Sequence, residues 1–274
     1  MRQRVEALVG EWNVTVQDTA ETESSFLVFG TCRDQPVVLK VVKRPGDEWH
    51  SGEVLQAFGG NGVVRVYEYV EGAVLVERAI PGESIVSMTI DGRDGEATTI
   101  LADVIQRMSG CTPQRRCPTV HDWAKGFDRY LASDGDQIPR ELVVHGHELY
   151  VQLAASQGQT TLLHGDLHHY NVLNDARRGW LAIDPKGVIG DVEYEIGAIL
   201  RNPIERPDLF ASPDTIDGRL QRLAGALRVD GERVLQWAFA QAVLSAIWAV
   251  EDGFAVQPDN PTVALAHTLR AMLT

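Results

Sequence analysis

The sequence predicts an α+β fold in two lobes, the first rich in β-strand and the second mainly helical. Three observations carry this. Short runs of β-branched and aromatic residues crowd the first 78 positions. A Pro-Gly break, Ala79-Ile80-Pro81-Gly82, follows them. Beyond it, apolar residues recur at three- and four-residue intervals, the helical period.

The predicted strands span residues 12–16, 26–32, 36–42, 63–69 and 73–78, with turn formers at Asp18, Asp34 and Glu71-Gly72 between them. One helix interrupts them over 47–58. It carries Glu53, Val54 and Phe58 at helical spacing, and Gly59-Gly60-Asn61-Gly62 stops it. Pro81 cannot donate to a sheet ladder and Gly82 ends the strand, so the hinge falls there. The lobes are then 1–79 and 80–274. Helices are predicted over 97–108, 120–131, 139–157, 231–248 and 261–273. The exception in the second lobe is a small hairpin, Val172-Leu173 with 181–183, around 175–179.

With 274 residues and 44% apolar content, the chain can bury a substantial core. Met1-Arg2-Gln3-Arg4 leads into a mixed segment without an apolar run, so no signal peptide is expected. The longest apolar stretch, 238–250, is broken by Gln241 and Ser245 and is expected as a buried helix, not a membrane span. Cys32, Cys111 and Cys117 suit a reducing, cytoplasmic setting better than a disulfide scaffold. The net charge of −13 argues against nucleic acid as a partner, because phosphate backbones want a basic face. It suits a cationic substrate drawn into an acidic cleft, and equally well a merely soluble surface.

The most informative stretch is Leu163-His164-Gly165-Asp166-Leu167-His168-His169-Tyr170-Asn171-Val172-Leu173, read with Ile183-Asp184-Pro185-Lys186-Gly187. Phosphoryl transfer from ATP needs one carboxylate to orient the acceptor hydroxyl and take its proton. It needs an amide oxygen and a second carboxylate to hold Mg²⁺ against the phosphates. The order Asp166, Asn171, hairpin, Asp184 therefore reads as a catalytic loop followed by a metal-binding turn.

With Arg178-Gly179-Trp180 ahead of Leu181 and Gly190-Asp191 downstream, these residues resemble the aminoglycoside phosphotransferases, within the protein-kinase-like fold. The likeness is to their streptomycin 6-phosphotransferase and hydroxyurea phosphotransferase branch. It implies an ATP- and Mg²⁺-dependent enzyme that phosphorylates a hydroxyl of a small molecule, streptomycin at its 6-hydroxyl or a related guanidinylated cyclitol, and confers antibiotic resistance. It makes 1–79 the nucleotide-binding lobe and 80–274 the catalytic and acceptor-binding lobe. By the same resemblance Asp166 is the base, and Asn171 and Asp184 are the Mg²⁺ ligands. Two rivals stay open: a kinase of a metabolic sugar or amino alcohol, and a nucleotide-binding pseudokinase module.

Lys40 stands alone among apolar residues at 37–42, where an unpaired ammonium is costly. Glu53 on the following helix is the expected partner, and the two match the kinase lysine that holds the α- and β-phosphates and the helix glutamate that orients it. Lys43 is the rival, on the opposite strand face. The connection 17–25 lacks glycine, so Ser24 and Ser25 are the expected phosphate contacts. Adenine is expected against backbone at Glu77 and Ala79. His164 is expected to fix the loop by hydrogen bonding, and His168 and His169 to face phosphate or solvent. A cationic acceptor calls for carboxylates, and Asp191, Glu193, Glu195, Glu251 and Asp252 are the candidates. Cys111, Cys117 and His121 lack a fourth ligand for zinc.

Overall fold

In the strand Gln35–Val42 every second side chain is apolar and sealed, and this alternation sets the layers of the first lobe. Val37, Leu39 and Val41 have no exposed surface. They pack with Val28, Ala73 and Leu75 against Val5, Leu8 and Trp12, at and after the helix Arg2–Glu11. The opposite parity, Val38 and Lys40, faces the cleft. The sheet comprises β1 (Thr15–Glu21), β2 (Ser25–Cys32), β3 (Gln35–Val42), β4 (Val66–Val70) and β5 (Ala73–Glu77) in the order β1-β2-β3-β5-β4, all antiparallel. The computed structural model describes residues 1–112, 117–257 and 259–274.

Several boundaries differ from the sequence expectation, each for a local reason. The helix Arg2–Glu11 buries only Val5 and Leu8, too thin a stripe for periodicity to reveal. β1 begins at Thr15 and runs on to Glu21 with every residue exposed, so no alternation marks it. The expected strand 63–69 starts at Val66; Val63 instead bridges Ala182. The expected helix 47–58 divides into a 3₁₀ turn, Asp47–His50, and the α-helix Ser51–Phe58, which ends at left-handed Gly59.

The chain leaves this sheet after Glu77 and enters others at once. β6 (Pro81–Ser84), β7 (Thr161–Leu163), β8 (Val172–Asp175), β9 (Gly179–Ala182) and β10 (Val188–Gly190) form a three-stranded sheet, β6-β8-β9, and the pair β10-β7. Around them lie the helices Asp94–Met108, Arg140–Ala155, Pro213–Leu227, Gly231–Glu251 and Pro261–Met272. The expected helix 120–131 is broken at Ala124 into Val120–Trp123 and Lys125–Ala132. Gly231–Glu251 is long and apolar enough to cross a membrane by length and composition, but 67% of its apolar window is buried inside the fold. Its Trp237, Phe239, Val243 and Ile247 are fully sealed, and each contributes about 1.5–3 kcal/mol by leaving water.

Candidate active site

The cleft between the five-stranded sheet and β6-β8-β9 holds a cavity of about 290 Å³. Leu27, Phe29, Val38 and Val76 line its sheet side, and Leu173 and Ile183 its other side. Glu77 and Ala79 sit at its edge, where the chain crosses between sheets. The Glu77 carboxylate is already committed: it accepts the Arg65 N–H at 2.8 Å and pairs with Arg178. What this edge offers a ligand is therefore backbone. An apolar slot with a polar backbone edge suits a flat heterocycle.

Lys40 projects into the same cavity. Its Nζ lies 2.8 Å from Glu48 Oε2 and 2.8 Å from Asp184 Oδ1. Burial pulls its pKa down, but the Asp184 and Glu48 carboxylates outweigh that and raise it above the ordinary lysine value. The acidic partner is thus Glu48, and the expected Lys40–Glu53 pair is not formed. Glu48 lies in the 3₁₀ turn ahead of the helix, and Glu53 in the α-helix proper. Lys43 pairs with Glu21 at 2.7 Å, away from the cavity. Ser25 is fully buried, with its hydroxyl 3.5 Å from Glu48, so it does not present itself to a phosphate. Ser24 lines a wider cavity of about 660 Å³ that also takes in Asp47, Lys186, Asp252 and Phe254.

The loop after β7 is stapled from beneath. His164 N–H and Gly165 N–H donate to the buried Glu195 carboxylate at 2.6 and 3.0 Å. Burial pushes the Glu195 pKa up to about 7, against the pull of those donors. Burial also lowers the His164 pKa to about 4, so its ring is neutral. Its Nδ1 accepts the Asp166 N–H at 3.3 Å, which leaves Nε2 to donate to the Ile183 carbonyl at 2.7 Å. The His164 carbonyl accepts the N–H groups of Lys186 and Gly187 at 2.9 and 3.0 Å. One residue therefore ties the Asp166 loop to the Asp184 turn. Gly165 has φ +81°, and a Cβ there would sit 2.9 Å from the Trp123 ring, so the sharp turn needs glycine.

Asp166 stands at the mouth of this loop. Its Oδ2 lies 3.5 Å from Lys186 Nζ, and its Oδ1 lies 3.4 Å from Arg201 Nη2. Burial alone would raise its pKa; the Lys186 ammonium, with His168 and Arg201, outweighs burial and holds the carboxyl far below the usual range. Asp166 is an ionised acceptor of hydrogen bonds throughout the neutral range. Asn171 Nδ2 donates to the Asp166 carbonyl at 3.0 Å, which leaves the amide oxygen Oδ1 as the end that could meet a cation. The Ile183 N–H donates to the Asn171 carbonyl at 2.9 Å and holds the two strands in register. Asp184 has φ +58°, a conformation uncommon for a residue with a Cβ and concentrated at functional sites. Two oxygen donors, an amide and a carboxylate, fit a hard cation such as Mg²⁺. Among the described residues there is no group of three or more His, Cys, Asp or Glu that could hold a metal ion.

The expected acceptor carboxylates separate. Glu195 is the internal brace beneath the Asp166 loop. Asp191 is buried and paired with Arg233 at 2.6 Å. With Glu193 it borders a different cavity, beside Thr161 at the end of β7 remote from Asp166. Antiparallel pairing causes this: β10 runs back along β7, so Gly190 and the residues after it lie opposite Thr161. Glu251 is held by Arg129 in a two-pronged pair at 2.7 and 2.9 Å. Of the five, Asp252 borders the cavity next to Lys186. His169 is fully buried, so it faces neither phosphate nor solvent, and His168 Nε2 lies 3.8 Å from Asp166.

Three site residues escaped sequence reasoning: Glu48, Lys186 and Arg201. Lys186 had a signal, two positions beyond Asp184. Arg201 had little, because its place depends on long-range contacts. The buried Arg219 donates to the carbonyls of Ile199 and Asn202 at 3.0 and 2.7 Å and fixes the segment that carries it.

The model of the aminoglycoside/hydroxyurea antibiotic resistance kinase family matches residues 11–253. The chain is 34% identical to streptomycin 3''-kinase of Klebsiella pneumoniae over 85% of its own length and 86% of that protein's. It is 28% identical to streptomycin 6-kinase of Streptomyces glaucescens over 97% and 88%. A solved ternary complex of a thermostable mutant of aminoglycoside phosphotransferase APH(4)-Ia with AMP-PNP and hygromycin B shares the fold at a TM-score of 0.68 and 15% identity, over 100% of this chain and 98% of that one. The chain belongs to the aminoglycoside/hydroxyurea antibiotic resistance kinases and is a phosphotransferase.

Proposed function

We propose that this protein moves the γ-phosphoryl group of ATP, bound with Mg²⁺, to a hydroxyl of streptomycin. The observation that carries the proposal is the convergence of Lys40, Asp166 and Asp184 at one cleft, with Lys40 salt-bridged to Asp184 at 2.8 Å and Asn171 bonded to the Asp166 carbonyl at 3.0 Å. Adenine would occupy the apolar slot at Glu77 and Ala79, and Lys40 would turn from Glu48 and Asp184 to the α- and β-phosphates. Asn171 Oδ1 and Asp184 would hold Mg²⁺, which supplies charge neutralisation at the phosphates when bound. Asp166 orients the acceptor hydroxyl and receives its proton. The division of labour follows the hinge for nucleotide, on 1–79, and for chemistry, on 80–274, while the acceptor site draws on both.

The acceptor would lie in the wide cavity bordered by Ser24, Asp47, Lys186 and Asp252. Streptomycin carries two guanidinium groups, for which exposed Asp47 and Asp252 supply carboxylates. The 34% identity to a 3''-kinase favours the 3''-hydroxyl over the 6-hydroxyl that the sequence resemblance implied. The test is a panel of acceptors with purified protein, Mg²⁺ and ATP, scored by phosphate transferred: streptomycin, hydroxyurea, hygromycin B and choline. Streptomycin is expected to turn over fastest. Transfer to choline alone would make the protein a metabolic kinase, and ATP binding without transfer to any acceptor would make it a binding module.

A further inference from the structure

We propose that Lys186 is a second catalytic cation, whose ammonium touches the transferring phosphoryl group from the acceptor side. The inference rests on the phosphotransfer reading of the cleft. The loop from Asp166 to Asn171 contains no Lys or Arg, so it brings no fixed positive charge to the reacting centre. Lys186 supplies one from the other segment. Its backbone N–H is pinned to the His164 carbonyl at 2.9 Å, which sets where the side chain starts. Its Nζ then lies 3.5 Å from Asp166 Oδ2, 3.9 Å from Asp47 Oδ2 and 5.7 Å from the centre of the Trp248 ring. These contacts hold the ammonium beside the carboxylate that receives the acceptor hydroxyl.

Two cations flank Asp166, and their settings differ. Arg201 is 13% exposed and is tied on its inner side to Gln241 at 3.3 Å, so it braces Asp166 from within the fold. Lys186 is 25% exposed and borders the acceptor cavity. A cationic acceptor gains nothing from an ammonium at the point of attack. A phosphoryl group in flight does, because its charge spreads over three oxygens and must be met by positioned cations. Lys40 meets the phosphates from the nucleotide side, and Lys186 meets the same group from the opposite side.

The step balances without further reactants. The acceptor oxygen forms a bond to the γ-phosphorus, and the bond from that phosphorus to the β,γ-bridging oxygen breaks. The electron pair of the broken bond stays with ADP, and the hydroxyl proton passes to Asp166. Lys186 takes no part in the proton transfer and contributes charge alone.

The test compares Lys186→Met and Lys186→Arg with the native protein in two readouts. In turnover, Lys186→Met should lower kcat on the order of 100-fold or more, with the acceptor KM changed less than about threefold. Lys186→Arg should recover part of the loss by restoring a cation. In equilibrium binding, Mg·ADP with aluminium fluoride imitates the transferring group and needs no acceptor. Lys186→Met should bind Mg·ADP alone as the native protein does and lose most of the extra affinity that aluminium fluoride confers. A melting curve matching the native one shows that each variant is folded. A kcat within about tenfold of native for Lys186→Met, or an undiminished aluminium fluoride gain, overturns the proposal. A native protein for which aluminium fluoride adds nothing also counts against it. Failure of the streptomycin reading looks different: no acceptor is phosphorylated, while the binding comparison still separates Lys186→Met from the native protein.

Discussion

The two sides of the cleft are built on different principles. The nucleotide side is a small apolar slot whose wall is set by strand parity: β3 sends Val37, Leu39 and Val41 to the core and leaves Val38 and Lys40 in the slot. The proposed acceptor side is wide and mixed in charge, and it is assembled from segments near residues 22–24, 42–48, 186 and 252–254. The first is fixed by local repetition; the second exists only once distant parts of the chain meet. A ligand common to every member of a kinase family can rely on the first kind of site. On the proposed function, choice of acceptor resides in the second, where a change in one segment leaves the rest of the machinery standing.

Substitutions on either side test this contrast, from the largest effect down. Asp166→Ala should lower kcat by roughly 10²–10⁴-fold and leave the ATP dissociation constant near its native value in calorimetric titration. Asp184→Ala, on the nucleotide side, should weaken Mg·ATP binding as well. If both variants lost nucleotide affinity equally, the two sides would not be separable.

Glu195→Ala should act on stability. It orphans the His164 and Gly165 N–H groups, each at about 1–3 kcal/mol, a loss that urea unfolding would register. The pH dependence has a defined sign. The pKa of Glu195 is raised from 4.5 to about 7 in the fold, so between those values the native state binds more protons than the unfolded chain. Stability therefore falls as pH rises through that window. Glu195→Gln should flatten this slope, and an unchanged slope would assign it to another group.

Glu48→Gln removes one of the two charges beside Lys40 and should alter nucleotide KM or kcat on the order of tenfold, as expected for a hydrogen bond between charged groups. Glu53→Gln should change either less. The reverse ranking in steady-state kinetics would restore Glu53 as the partner. Glu251→Gln should be the mildest. It breaks a partly exposed pair with Arg129 worth less than about 1 kcal/mol, and the acceptor KM should not move.

Legibility followed the same divide. The spacing of Asp166, Asn171 and Asp184 exposed the reacting centre because those residues lie on one hairpin and its flanks, where separation along the chain fixes separation in space. Lys40 was visible as a polar residue in an apolar strand. Its partner was not: Glu48 and Glu53 lie in the same predicted helix, and the sequence does not say which of them reaches β3. The acceptor carboxylates were misplaced for a topological reason: Asp191 and Glu193 come after a strand that runs away from Asp166. Glu195 comes back to it but is consumed in holding the loop. A count of acidic residues near a motif carries no information on which of them are already paired.

The most direct test of the central claim is the product itself. Native protein, Mg·ATP and streptomycin, followed by phosphorus NMR and mass analysis, should yield ADP and a single phosphate ester on streptomycin, at the 3''-hydroxyl, with none formed by Asp166→Ala at the same protein concentration. A native protein that binds Mg·ATP and forms no ester on streptomycin, or an Asp166→Ala protein that forms it at a near-native rate, would contradict the account.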